Sequence, residues 1–201
     1  MTAMAITAGA SGAIAVEPWA SRELPIKDGL AVWLDGAAQA AGRQRRGDIV
    51  LRDGDPLEHW LDSSGRQRNL VQAVEAKRPR VRLDGELAMV RFDGRGSHLA
   101  LDGLNSDLPA ATLFMVAAPF RNEGGFSGML SMHATDQPDF VSGMNIDQGP
   151  FLSEKFEVVN VEGAGFGGIN NLLKSGGPFL QHRRLCVTNC RTRGGRAVDG
   201  W

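Results

Sequence analysis

The stretch VRFDGRGSHLALDG, from Val90 to Gly103, decides the fold class of this 201-residue chain. Two short runs of alternating apolar and polar residues stand on either side of its central DGRG (93–96). Asp-Gly steps between such runs are among the strongest sequence signals of a β-hairpin. The stretch therefore predicts strand, tight turn and strand, with Phe92, Leu99 and Leu101 facing the core.

The strand signal repeats outward from this hairpin in both directions. Candidate strands lie at 30–35, 57–62, 69–74, 80–83, 87–93, 98–101, 111–119, 128–133, 139–146, 155–161 and 183–189. A second Asp-Gly turn, at 84–85, is predicted between the strands at 80–83 and 87–93. The run ATLFMVAAP (111–119) is nearly all apolar, which predicts a central strand covered on both faces. The polar run QAAGRQRRGD (39–48) predicts a loop, and no window keeps a helical period. Many short strands with frequent turns indicate an all-β sandwich or jelly roll.

The composition is that of an ordinary folded domain, with 42% apolar and 22% charged residues. The chain has 26 glycines and no tyrosine, which favours many turns and short strands. The net charge of −1 argues against a nucleic-acid partner, and the basic C-terminal stretch lacks interleaved aromatic residues. No run of about 18 apolar residues occurs, so no membrane span is expected.

The first 27 residues differ from the rest of the chain. They are small and weakly apolar, and AIA (13–15) has the A-x-A form of a secretory cleavage site. The basic start of a signal peptide is missing, because no Lys or Arg precedes Arg22. Residues 1–27 are therefore interpreted as a signal-peptide remnant or a disordered tail. Residues 191–201 are expected to be a disordered basic tail, which leaves a folded domain at 28–190.

Three landmarks in order carry a resemblance to a known family. They are LAVWLDGA (30–37), HWLDSSGRQRNLVQ (59–72) and LAMVRFDGRGSHLALDG (87–103). The chain resembles the laminin-G-like branch of the concanavalin A-like lectin/glucanase superfamily, in particular bacterial domains with W-x-D-x-S-G-x-x-x-x-x-x-Q followed by R-F-D-G-x-x-x-x-L-x-L. The resemblance implies an antiparallel jelly roll of two packed sheets. Such domains end with a closing strand, whereas CRTRGGRAVDGW (190–201) offers none, so the sandwich is expected to lack its closing C-terminal strand.

Catalytic relatives in this superfamily carry E-x-D-x-x-E on one strand, and the chain contains no such motif. Glu154, Glu157 and Glu162 have a different spacing and no central Asp. Retaining glycosidases need two carboxyl groups about 5 Å apart. We therefore expect a protein that is not an enzyme, with a carbohydrate-active hydrolase or lyase of the same fold as the alternative.

Ligand-binding candidates cluster in MHATDQPDFVSGMNIDQG (132–149). This stretch contains Asp136, Asp139, Asn145 and Asp147, whose oxygens could line a sugar or calcium site at one rim of the sandwich. A solvated polar loop is the alternative interpretation. Trp33 and Trp60 lie in apolar-alternating runs and are assigned to the core, so no aromatic platform for a sugar is identified.

Asp93 is the single candidate metal ligand. In one interpretation its carboxylate caps the backbone amides of the DGRG turn. In the other it holds Ca²⁺ together with loop carbonyls, although hard cations need six to eight oxygen ligands. Calcium is the only cofactor that the sequence suggests.

Together these features predict a non-catalytic laminin-G-like module that binds a glycan or a protein. It would belong to a larger bacterial chain located outside the cell, in the periplasm or in the cell envelope. A structural fragment without activity of its own is the remaining alternative.

Overall fold

The computed structural model describes residues 3–8, 15–24, 27–85, 87–104, 111–154, 158–163, 171–174, 186–193 and 196–197. These residues are mostly strand, which confirms the all-β class. The chain divides into two compact units, 1–117 with 187–190 and 118–186 with 191–201, where the sequence predicted one domain at 28–190.

The part of the first unit within residues 1–117 contains seven strands, a short helix and one 3-10 turn. The strands are β1 (Ala3–Ala8), β2 (Leu30–Asp35), β3 (His59–Trp60), β4 (Leu70–Val71), β5 (Arg80–Asp84), β6 (Leu87–Arg91) and β7 (Ala111–Ala117). The helix α1 is Gln39–Arg46, and the 3-10 turn is Glu75–Lys77.

The second unit contains six described strands and one helical turn. They are β8 (Asn122–Glu123), β9 (Gly128–Met132), α2 (Asp139–Ser142), β10 (Met144–Asp147), β11 (Leu152–Ser153), β12 (Val158–Gly163) and β13 (Asn171–Lys174). Two strands follow, β14 (Cys186–Arg193) and β15 (Arg196–Ala197). No helix in the described ranges is long and apolar enough to cross a membrane.

Strand β1 lies between β2 and β7 and pairs antiparallel with both. Its residues therefore belong to the main sheet, whereas the sequence assigned them to a tail. The Ala-rich composition concealed a run whose backbone supplies ladder partners to two apolar strands. Strand β14 follows on the other side of β7. It continues to Arg193 and pairs with β15, so residues 191–193, which were assigned to the basic tail, are also strand.

The core of the first unit forms on β2 and β7. Val32 and Leu34 are fully buried, and Leu113 and Met115 of β7 are buried as well. The predicted burial of Trp60 is confirmed, whereas Trp33 is half-buried.

The Asp84-Gly85 turn joins the two strands predicted on either side of it, because β5 pairs with β6 and Asp84 lies opposite Leu87. The DGRG turn does not form the predicted hairpin. The segment after DGRG pairs elsewhere, since Ala100 forms a bridge with Val71 of β4. Because β6 ends at Arg91, Phe92 begins the turn and its side chain is 41% exposed, so its assignment to the core was wrong.

Helix α1 occupies residues for which the sequence predicted a loop. Both sides of the Gln39 amide are used by Leu61, whose N–H donates to Oε1 at 2.9 Å and whose carbonyl accepts from Nε2 at 3.0 Å. The Arg43 guanidinium donates to the carbonyl of His59. Gly47 ends the helix in the left-handed region at φ 75°. These contacts come from residues distant in sequence, so local periodicity could not indicate the helix.

The second unit contains a four-stranded sheet in the order β13-β12-β10-β9, beside the short pair β8–β11. One face of the sheet is apolar, because Met144, Ile146, Val159 and Val161 are all buried. Their neighbours along β10 and β12 alternate with them and lie on the other face. Glycine is required at 143, since a Cβ there would collide with the carbonyl of Met132 on β9.

Candidate functional site

The W-x-D-x-S-G motif is a structural network around a buried carboxylate. Asp62 is 1% exposed. Its Oδ1 accepts the N–H groups of Trp33 at 2.8 Å and Ser64 at 2.9 Å. Its Oδ2 accepts the Ser64 hydroxyl at 2.7 Å and the Arg68 N–H at 3.0 Å. Four donors satisfy this carboxylate, which fixes the loop after β3 against β2.

Arginines of the same loop cover the backbone of β2. Arg66 Nε donates to the carbonyl of Leu30 at 2.7 Å, and Arg68 Nη1 donates to that of Ala31 at 3.2 Å. The last residue of the motif, Gln72, donates from Nε2 to a loop carbonyl and accepts the N–H of Val74 at 3.0 Å. The residues that carry the family resemblance in this region therefore hold the fold together.

Asp93 organises its own turn. Its Oδ1 accepts the N–H groups of Arg95 at 2.9 Å, Gly96 at 3.0 Å and Ser97 at 3.0 Å, and the Ser97 hydroxyl at 2.8 Å. The Ser97 N–H, followed by the other backbone donors, holds the pKa of Asp93 well below its usual range. This is the capping role that the sequence offered as one interpretation. The described part of the chain contains no group of three or more His, Cys, Asp or Glu residues arranged to hold a metal ion.

Polar side chains gather on one face of the second unit's sheet, opposite the apolar face. Strand register places Asn145 between Ser131 of β9 and Glu162 of β12, and sets Asp147 opposite Asn160. We call these five residues the polar face. Two of them, Asn145 and Asp147, are sequence-predicted ligand residues.

Hydrogen bonds connect the polar face along each row. Asn160 Nδ2 donates to Asp147 Oδ2 at 2.9 Å, and Asn145 Nδ2 donates to Glu162 Oε1 at 3.1 Å. The Ser131 hydroxyl donates to Asp139 Oδ2 at 2.8 Å. Three of the four predicted ligand residues, Asp139, Asn145 and Asp147, are therefore brought together.

The fourth predicted ligand residue, Asp136, does not join them. It lies in an exposed turn with φ 59°. Asp tolerates this left-handed conformation better than most residues. A turn role explains its presence there.

Asp147 is the most unusual group of the polar face. It is 1% exposed, and its partner Asn160 is 0% exposed. Burial raises the pKa of Asp147, and the carboxylates of Glu162 and Asp139 raise it further. The bonds from Asn160 and from the Gly149 N–H, at 2.6 Å, act in the opposite direction without overcoming burial. The site thus contains a carboxylate that the fold itself does not favour in its charged form.

Two buried amide oxygens of the polar face lack a partner among the described residues. They are Oδ1 of Asn145 and Oδ1 of Asn160. Buried polar atoms in native proteins are paired in the great majority of cases. Unpaired oxygens beside a buried carboxylate are the arrangement expected of a site that completes its hydrogen bonds with a ligand or with water.

Exposed aromatic rings lie on the loops that leave this sheet. Phe151 follows β10 by four residues and is 72% exposed. Phe126 is also exposed, and its N–H donates to the carbonyl of Gly149 at 3.1 Å. The buried Asn122 amide donates to the carbonyl of Gln148, which ties the two loops together.

Neither phenylalanine nor Asn160 was predicted from the sequence, and Glu162 was considered only as a catalytic carboxylate. Trp and Tyr were the expected sugar platforms, although Phe126 and Phe151 each follow a Gly-containing turn signal. Asn160 and Glu162 come from a different strand, and only the register of β10 with β12 places them beside Asp147. A register of this kind cannot be deduced from one sequence.

Comparison with known proteins found no matching family model, no similar curated protein and no similar solved structure. The resemblance to laminin-G-like domains therefore depends on the three landmark sequences alone.

Proposed function

We propose that this chain is a non-catalytic glycan-binding module with the jelly-roll fold of laminin-G-like domains, and that the polar face is its glycan site. The observation that carries the proposal is the buried Asn160, whose Oδ1 lacks a partner while its Nδ2 is fixed on Asp147. By the family resemblance, the module belongs to a larger bacterial protein located outside the cell or in its envelope.

The composition of the site fits a sugar ligand. Ligand sites combine apolar and aromatic surfaces with a few polar groups that fix orientation. The amide and carboxylate oxygens supply acceptors for hydroxyl groups. Phe126 and Phe151 supply exposed apolar rings on the adjoining loops. Ser131 is exposed and Asn145 is half-buried, so the Ser131 end of the polar face is the part open to solvent.

A glycoside hydrolase of the same fold is the second candidate. It is favoured by the raised pKa of Asp147 near the Glu162 carboxylate, a pairing that can supply a general acid and a base. The absence of E-x-D-x-x-E weighs against it. Release of reducing ends from any glycan that binds would distinguish a hydrolase from a binding module.

The first test is a glycan array probed with the full 201-residue chain, followed by calorimetric titration of each hit. Phe151→Ala should weaken the hit about tenfold and leave the unfolding temperature unchanged, since an exposed ring contributes little to stability. Phe92→Ala, which removes a partly exposed ring from the first unit, is the matched control. An array without hits, or hits that Phe92→Ala weakens as much as Phe151→Ala, would exclude the polar face as the glycan site.

A further inference from the structure

The unpaired atoms of the site are all of one kind. Asn145 and Asn160 each leave an acceptor oxygen without a partner among the described residues. The amide nitrogens of Asn145 and Asn160 already donate to carboxylates, at 3.1 and 2.9 Å. These carboxylates fix the amide orientations, because the flipped amides would set oxygen against oxygen. A ligand must therefore bring hydrogen-bond donors.

The carboxylates of Glu162 and Asp139 raise the electrostatic cost of a charged Asp147. Asp147 and Glu162 are both buried acids, and the five residues of the polar face include no Lys or Arg. No described cationic side chain pairs with Asp147, which accepts hydrogen bonds from the Asn160 amide and the Gly149 N–H. A buried carboxylate without a cation is costly. A cationic ligand group would lower that cost.

We infer that the polar face prefers a glycan that carries a primary ammonium group, that is, an amino sugar without its N-acetyl group. This inference rests on the proposed glycan-binding function. An ammonium group supplies three donors, no acceptor and a positive charge. A hydroxyl group supplies one donor, brings its own lone pairs and leaves the Asp147 charge uncompensated. An N-acetyl group keeps one N–H, loses the charge and adds a carbonyl oxygen to a site already rich in acceptors.

The geometry gives each part of the face a role. Asp147, held by Asn160 and the Gly149 N–H, is the counter-ion for the ammonium group. The free oxygens of Asn160 and Asn145 accept its remaining N–H bonds. Phe151, on the loop after Asp147, contacts the sugar ring.

The test compares two oligosaccharides of equal length in calorimetric titrations of the full chain. One is a β-1,4-linked glucosamine oligomer with free amines, and the other is its fully N-acetylated counterpart. We expect the free-amine oligomer to bind at least about tenfold tighter. Asp147→Asn should abolish that preference. Asp136→Asn, which removes one exposed negative charge from the same unit, should preserve it. Circular dichroism of both variants checks that the fold is kept.

Each outcome separates the inference from the proposed function. Equal or tighter binding of the acetylated oligomer, or of a neutral glycan from the array, overturns the ammonium inference and leaves a glycan-binding module. A preference that survives in Asp147→Asn overturns the assigned counter-ion and therefore the inference. Loss of the preference in Asp136→Asn as well indicates general charge attraction, which also overturns it. If neither oligomer binds while the array gives other hits, the inference fails and the proposed function stands; an array without hits overturns both. Repeating the titrations with added Ca²⁺ tests competition, and a preference abolished by Ca²⁺ would identify the face as a metal site instead.

Discussion

Each unit of the protein buries one aspartate to the same degree, and the two differ in their partners. Asp62 and Asp147 are both 1% exposed. Asp62 accepts hydrogen bonds from four described donors, and two of these come from one residue, Ser64. Asp147 accepts from two described donors and has carboxylates among its neighbours.

This difference separates a structural carboxylate from a candidate ligand site. A buried charge whose acceptor positions are filled contributes to the stability of the fold. A buried charge with few donors, and with unpaired amide oxygens near it, destabilises the empty protein and favours a ligand that supplies the missing partners. The two aspartates are equally buried, so the number of hydrogen-bond donors is what distinguishes the structural carboxylate from the candidate ligand site.

The largest effect is expected from Asp62→Ala. The substitution removes the acceptor for the N–H groups of Trp33, Ser64 and Arg68, and leaves these donors unpaired. We expect a loss of about 3 kcal/mol or more in the free energy of unfolding, measured by urea denaturation. The control Asp102→Ala, at an exposed position, should change it by less than about 0.5 kcal/mol. Similar values for the two variants would mean that the Asp62 network does not stabilise the fold.

The second prediction concerns Asp147→Asn and its dependence on pH. Because the folded protein raises the pKa of Asp147, its stabilising contribution is complete below about pH 4, the ordinary carboxyl range, and is lost as pH rises through the folded value. The variant removes the titrating charge and keeps an acceptor for the Gly149 N–H. We therefore expect Asp147→Asn to be more stable than the native chain at pH 8, by about 1 kcal/mol, with the difference shrinking toward pH 4.

Thermal unfolding of both proteins across this pH range measures the effect, with Asp136→Asn as the matched control. A native chain whose stability rises from pH 4 to pH 8 relative to Asp147→Asn would show that Asp147 is stabilised as a carboxylate. Asp147 would then be a structural carboxylate like Asp62, and the difference between the two would not mark a ligand site.

Sequence reasoning succeeded where local pattern and final environment agree. Alternation along 30–35 predicted the buried strand that contains Val32 and Leu34. The same period places Asn145 and Asp147 on one face of β10, and their role as ligand residues stays a prediction. In each case the relevant residues are neighbours on one strand. A period of two then suffices to assign them to a common face.

The rest depended on contacts between distant segments. Helix α1 is held by Gln39 and Arg43 through partners about 20 residues away, which no local period reveals. Asn160 joins Asp147 only through strand register. The DGRG turn was predicted correctly, and the pairing of the strands beside it was not. Asp-Gly indicates a turn but does not determine which strands pair across it.

The smallest effect on stability is expected from a substitution of Asp93, which separates the number of donors from burial in the comparison with Asp62. Asp93 accepts as many hydrogen bonds as Asp62, but its turn is exposed to solvent. Its pKa is lowered, so its stabilising contribution is present above the ordinary carboxyl pKa of about 4 and is lost as pH falls through the folded value. Asp93→Ala should therefore lower the unfolding temperature slightly at pH 7, by less than Asp62→Ala does, and the difference from the native chain should vanish in acid.

A loss at pH 7 as large as that of Asp62→Ala would mean that the number of donors determines the contribution of an aspartate regardless of burial. A difference that persists unchanged into acid would mean that the turn depends on the shape of Asp93 and not on its charge.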